Sequence, residues 1–382
     1  MSKKIKSLLA KLFIFVCRTV FGIKKNRVLF MCFACKTYAD NSRAVSEALH
    51  AMAPELEIVW PFRDPESKKG IVPEYVKSVK NTYINFLYYT ATSISIVNNN
   101  VFYDFNKSDK QFLVQLWHGD RPIKRVGYDC LPEDTKVYFP ERREGFCNLA
   151  VSGSRFCDSQ FRTAFKYPGE ILSVGSPRDD VLVNGDPERA KKTRKALSIS
   201  EDKKILVYAP TFRRENRNGA QAKQEIDLEK TLCALEEKFG GEWVCLVRSH
   251  PVAGGIVGFE KSSKLMEVSS YEDMADLLLI ADMLITDYSS SATDFTLQTR
   301  PVIMFQPDIK EYIEKSRTLY FNMEDSPYLI AENQQELEKI IMELTPENIA
   351  KNCQDLAEFY GTYETGKSSH ETAKRIYDWI NK

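Results

Sequence analysis

The apolar run FLVQLW is followed by His118-Gly119-Asp120-Arg121-Pro122-Ile123-Lys124-Arg125. A histidine ending a strand-like run, a glycine that lets a substrate approach the backbone, and three cations in five residues suit a general base beside a phosphate. A second histidine, His250, ends the run WVCLVRS, directly after Arg248-Ser249. A lone strand-end histidine is more often structural than catalytic. Here two of the four histidines hold the same position relative to a strand, one in each half, and are expected to face one cleft. The run KILVYAP leads into Thr211-Phe212-Arg213-Arg214, a hydroxyl and a guanidinium where phosphate oxygens could be held bidentately. DMLITD gives Asp287-Tyr288-Ser289-Ser290-Ser291, a polar turn opening a helix, where amides and hydroxyls together can hold an anion. N-capping accounts for one of those serines but does not need three in a row. Arg178, in Gly175-Ser176-Pro177-Arg178-Asp179-Asp180, closes another run. No P-loop and no G-x-G-x-x-G after a strand is present, so ATP and NAD have little support. No Cys/His cluster has metal spacing, and Asp179-Asp180 alone is a weak metal signal. The inventory describes a transferase that holds a nucleotide diphosphate and has no covalent nucleophile of its own.

Such residues need a frame that brings strand ends together, and open parallel sheets do this at their carboxyl edge. Strands are predicted at 27–33, 57–62, 93–99, 112–117, 149–154 and 170–175, then at 204–210, 243–249, 265–270, 282–287 and 301–305. These Val/Ile/Leu-rich runs alternate with helical stretches, the pattern of two doubly wound domains. The expected organisation is a basic amphipathic helix at 1–26, Rossmann-like domains at 27–185 and 200–335, and a helical tail at 336–382 packing between them.

The 382 residues carry 53 Lys+Arg against 53 Asp+Glu, and 43% are hydrophobic, which excludes a disordered chain and a general nucleic-acid binder. The neutrality is uneven, because nine basic residues precede the first acid, Asp40. Lys4, Lys11, Arg18 and Lys25 recur every seven residues and drift only about 20° per step around a helix. Ile5, Leu8, Leu9, Leu12, Phe13, Val16 and Val20 fall mostly on the other side, as in a helix lying on an anionic membrane surface. Lys11 and Arg18 interrupt what a signal peptide would need as its apolar core, and no run is long enough to span a bilayer. The nine cysteines, mostly in apolar runs, suit reduced thiols in the cytosol; Cys32-Phe-Ala-Cys35 lacks a companion pair.

At these motifs the sequence resembles the CDP-glycerol glycerophosphotransferases that build wall teichoic acid and related polyol-phosphate polymers. The likeness is carried by Asp40-Asn41-Ser42-Arg43, Gln115-Leu116-Trp117-His118-Gly119, Gly175 to Leu182, Tyr208 to Arg213, Arg248-Ser249-His250-Pro251, and Ala281 to Asp294 with Arg300-Pro301-Val302. The resemblance implies a GT-B-like fold and a peripheral protein at the cytoplasmic face of the bacterial cell membrane. It implies transfer of glycerol phosphate from CDP-glycerol to a hydroxyl of an undecaprenyl-diphosphate-linked glycan, with release of CMP. His118 then matches the base and His250 the second essential histidine, near the diphosphate. Thr211, Arg213, Arg248 and Ser289 to Ser291 would hold the donor, with Asp287 ordering the loop. Asn41, Arg121, Lys124 and Arg178 would face the acceptor or its phosphate. No cofactor is required, and nothing in the sequence supports Mg2+. The family's Thr-Pro-Leu-Lys run after His-Gly is replaced by Asp120-Arg121-Pro122-Ile123-Lys124, so the acceptor or polyol is expected to differ. CDP-ribitol is the nearest alternative donor, and a nucleotide-sugar glycosyltransferase on the same architecture is the next alternative. The chain lacks the long N-terminal region of some polymerising members, which favours a primase-like enzyme.

Overall fold

Parallel pairing governs both main sheets of the protein, seen here in a computed structural model. The structure describes residues 3–100, 106–130, 147–211, 222–223, 226–249, 256–257, 262–315 and 318–382. Among them, the first sheet contains β1 (Lys24–Met31), β2 (Glu57–Phe62), β3 (Val76–Lys80), β4 (Ser93–Asn98), β5 (Phe112–Gln115), β6 (Leu149–Ser152) and β7 (Glu170–Ser173). Its order is β3-β2-β1-β4-β5-β6-β7, with every pair parallel. The second half adds β8 (Lys204–Ala209), β9 (Ala222–Lys223), β10 (Trp243–Val247), β11 (Ile256–Val257), β12 (Leu265–Glu267), β13 (Met283–Thr286), β14 (Val302–Phe305) and β15 (Leu329–Ala331). Its main sheet is ordered β12-β10-β8-β13-β14-β15, again parallel throughout, while β9 and β11 pair separately. These are doubly wound orders. Strand order reverses between β1 and β4 in one sheet and between β8 and β13 in the other, and ligands bind beside such reversals.

Every predicted strand forms, and several stop short of the predicted end. β1 stops at Met31 because Phe33, Ala34 and Cys35 all take left-handed backbone angles (φ +42°, +56° and +63°). β5 stops at Gln115, and Trp117 turns left-handed (φ +51°) immediately before His118. Of the strands in the two main sheets, the sequence reading missed β3 and β15, which lie at sheet edges. VKSVK buries only Val76 and exposes both lysines, and LIA spans three residues, so neither shows the continuous apolar signal of a central strand.

The chain divides into two compact units. One comprises Met1–Asp120, Pro140–Asp180 and Tyr363–Lys382, the other Arg121–Phe139 and Val181–Thr362. In the first, Trp60 stacks between Phe30 and Phe62 with ring centroids 5.8 and 5.9 Å away. The helix Ser368–Ile380 closes this core with Ala373 and Ile376, and Trp379 stacks on Phe112 at 4.7 Å. The second core centres on Leu206, Leu235, Trp243, Ile285 and Ile303, with Leu337 and Ile341 from the helix Gln334–Glu343.

The opening helix, Lys3–Phe21, ends before Lys25, which lies in β1. It packs through Ile14 and Cys17 onto Leu87 and Ala91 of the helix Tyr83–Thr92. Arg18, predicted on a basic outer stripe, instead donates to the Asn106 carbonyl and to Gln111 Oε1 (2.7 Å), which anchors the helix to its own domain.

Asp180 caps the helix Ser368–Ile380 from a distance in sequence. Its two oxygens accept from the Ser368 and Ser369 amides at 2.9 and 2.7 Å. Gly175, at φ +111°, sits so close that a side chain there would run into Ser368 Oγ and Glu364. Asp180→Ala is expected to cost about 1–2 kcal/mol, as for loss of a helix cap, measured as a lower urea midpoint with unchanged m. An unchanged midpoint would show that the clasp contributes nothing.

Candidate active site

In the first unit, the chain leaves β5 through the left-handed Trp117 and presents His118 half-buried at the sheet's carboxyl edge. Its Nδ1 lies 2.7 Å from the carbonyl oxygen of Asn99, the residue after β4. A carbonyl can only accept, so the neutral ring carries its proton on Nδ1 and its lone pair on Nε2, the nitrogen a general base uses. The ring packs edge-on to Phe33 (5.4 Å) and against Trp117 (4.4 Å). The left-handed turn after β1 is what brings Phe33 there.

Four residues were expected at the acceptor or its phosphate, and the structure gives them different places. Asn41 is 2% exposed; its Nδ2 donates to the Leu116 and Trp117 carbonyls (3.3 and 3.0 Å), and its Oδ1 accepts from the Arg178 amide (2.9 Å). Its amide therefore holds the His118 loop. Arg178 Nη1 donates to the His118 carbonyl at 2.9 Å and to Asp40 Oδ2 at 3.1 Å, so this guanidinium also supports that loop. Arg121, expected at the acceptor or its phosphate, lies in the second unit, is 1% exposed and pairs with Asp294 at 2.6 Å as a core ion pair. Lys124 is half-buried on a short antiparallel bridge to Leu319. Burial explains these departures: an arginine or asparagine taken from water must find partners, and here the partners lie within the domain.

The residues predicted to hold the donor belong to the second unit, at the reversal between β8 and β13. The Thr211 amide donates to both oxygens of Asp287 (2.9 and 3.0 Å), and the Tyr288 amide donates to Oδ1 at 2.6 Å. Asp287, 3% exposed, thus ties the end of β8 to the end of β13. Gln306 Nε2 donates to the Asp287 carbonyl, and Tyr288 stacks on Tyr312 at 3.8 Å, which fixes the turn from below. Ser289 and Ser290 remain half-buried, and Ser291 Oγ donates to Ser289 Oγ at 2.9 Å. The helix that follows, Ser291–Thr296, has six residues, so its dipole is weak and the loop's hydroxyls and amides dominate. Arg248 follows β10, half-buried, with Nη1 enclosed and no hydrogen-bond partner among the described residues. Burial lowers its pKa, while Asp273 and Asp276 push it back up. An enclosed, unsatisfied guanidinium nitrogen suits an anionic ligand. Arg213 and His250 lie outside the described residues. No group of three or more His, Cys, Asp or Glu among the described residues could hold a metal ion.

The sequence reading missed Asp40 and Asn99 as parts of this site. Asn99 ends the run SISIVNN, a polar residue after an apolar strand, so the strand-end rule that found His118 points to it equally.

Comparison with known proteins matches residues 12–380 to the family model described as CDP-glycerol:poly(glycerophosphate) glycerophosphotransferase. A teichoic acid poly(glycerol phosphate) polymerase of Staphylococcus epidermidis is 32% identical over 84% of this chain, which spans about half (46%) of that relative's length. A teichoic acid glycerol-phosphate transferase of Staphylococcus aureus is 29% identical over 92% of this chain and 93% of its own. Among solved structures, the wall teichoic acid polymerase TagF superposes with a TM-score of 0.82 at 28% identity, over 97% of this chain and 93% of that one, in keeping with a GT-B-like fold. With the family model covering nearly all of it, this chain belongs to the CDP-glycerol:poly(glycerophosphate) glycerophosphotransferase family.

Proposed function

We propose that the protein transfers glycerol phosphate from CDP-glycerol to a hydroxyl of a lipid-linked acceptor, releasing CMP, in teichoic acid or related cell-surface polymer synthesis. The observation that carries the reading is His118, whose Nδ1 is committed to the Asn99 carbonyl and whose Nε2 is thereby the basic nitrogen. In the reaction the acceptor oxygen attacks the glycerol-bearing phosphorus and gives its proton to His118 Nε2. The new O–P bond forms as the bond from that phosphorus to the bridging oxygen breaks, and CMP leaves with the electron pair. Thr211, Arg248 and the Ser289–Ser291 turn hold the diphosphate, with Arg213 and His250 as further donor-side groups. A positioned base contributes about 10² to 10⁴ in rate, and held phosphates supply much of the remainder.

Purified protein with CDP-glycerol and a lipid-linked disaccharide should release CMP. His118→Gln should lower kcat by about 10² to 10⁴ with the melting temperature unchanged. CMP release at the wild-type rate in that variant would remove His118 from the mechanism. Turnover of CDP-ribitol or a UDP-sugar in place of CDP-glycerol would reassign the donor.

The same reading places the protein at the cytoplasmic face of the membrane, where a lipid-linked acceptor would be met. Among the described residues no helix is long and apolar enough to cross a bilayer. The helix Lys3–Phe21 nevertheless leaves Leu8, Leu12 and Phe15 between 56% and 68% exposed, with Ile5, Leu9, Val16 and Val20 along the same face. Each such side chain moved out of water contributes on the order of 1 kcal/mol, and nearby basic residues add attraction to anionic lipid. Because Ile14 and Cys17 pack on the domain, a triple variant of the outer face alone (Leu8→Glu, Leu12→Glu, Phe15→Glu) is the clean test. It should abolish sedimentation with phosphatidylglycerol vesicles without lowering the melting temperature. Undiminished sedimentation would mean that another surface makes the contact.

A further inference from the structure

We infer that Asp40 is the positioning residue of His118, because its two carboxylate oxygens hold the two groups that fix the histidine's ring and its backbone. The inference rests on the reading of His118 as the base. Asp40 Oδ1 accepts from Asn99 Nδ2 at 2.8 Å, and Asn99 Oδ1 accepts from the Phe33 amide at 3.1 Å. With both ends of its side-chain amide fixed, Asn99, fully buried, keeps its own carbonyl on His118 Nδ1. Asp40 Oδ2 accepts from Arg178 Nη1, and the same nitrogen donates to the His118 carbonyl. One arm therefore sets the ring's tautomer and the other sets the height of the loop that carries it. Asp40 adopts φ +60°, a left-handed conformation that few residues other than glycine take, asparagine and aspartate more often than the rest. Such conformations persist where surrounding contacts over-determine them, commonly around functional groups. An oriented hydrogen-bond acceptor behind a histidine decides which ring nitrogen carries the proton, and loss of an orienting partner typically costs about 10- to 100-fold in activity.

The test uses the full-length protein labelled with 15N-histidine, the His118 signals being assigned by their loss in His118→Gln. Wild-type His118 should show the neutral Nδ1–H form. In Asp40→Asn, either orientation of the new amide sets a donor against the Asn99 or the Arg178 donor; Asn99→Ala removes the first arm outright. Both variants should show a mixed tautomer population. In both, kcat for CMP release should fall by about 10- to 100-fold with the KM for CDP-glycerol within about twofold. Melting curves identify the variants that fold, and Asp40→Asn keeps the side chain's size. A His118 tautomer unchanged from wild type in both folded variants overturns the inference, whatever the rate does. A shifted tautomer with unchanged kcat leaves Asp40 as the positioning residue and refutes His118 as the base.

Discussion

Every strand of the two main sheets runs in the same direction as its neighbours, and much of the rest follows from this constraint. A parallel strand has to be re-entered from its amino end, so the loops that leave the strands all emerge at one edge. The first unit collects the ends of β1, β4 and β5 there, and with them Asp40, Asn99 and His118. The second unit collects the ends of β8 and β13, and with them Thr211, Asp287 and the serines. The reversal in strand order supplies a gap between diverging connections, and the chemistry gathers there.

Loops folded over such an edge bring polar groups out of water, and each group needs a partner. The polar residues consequently divide into two kinds. Asn41, Asn99, Arg178 and Asp287, each at most 9% exposed, use their hydrogen bonds to hold loops together. His118, Thr211, Ser289 and Ser290 stay half-buried on those loops, where a ligand can reach them. The first kind gives the second its geometry. The energetic asymmetry of buried hydrogen bonds makes the frame stiff, since breaking one leaves a desolvated group unsatisfied.

That division limits what a sequence can reveal. Apolar runs such as KILVYAP and PVIMF declare central strands, because burial on both faces requires continuous hydrophobicity. The edge strands Val76–Lys80 and Leu329–Ala331 carry no such requirement and went unseen. Strand-end polarity pointed correctly to where His118, Thr211 and Asp287 would lie. It could not separate a residue that faces a ligand from one that braces a loop, since both are polar and both follow a strand. Arg121 and Arg178 read as groups facing the acceptor or its phosphate from residue type, motif and place after a strand. Their partners, Asp294 and Asp40, lie more than a hundred residues away in sequence and become neighbours only through the fold.

The helix Ser368–Ile380 belongs to the first unit although almost the whole second unit precedes it in the chain. Ala373 and Ile376 complete the core around Trp60, and Asp180 holds the amides at the helix start. During synthesis on a ribosome, then, the unit that begins first is the last to be completed. It waits with an uncovered apolar face while residues 181–362 are made and folded. Chains that stop short of residue 380 leave that face uncovered, and exposed apolar surface on an incomplete domain favours aggregation in general.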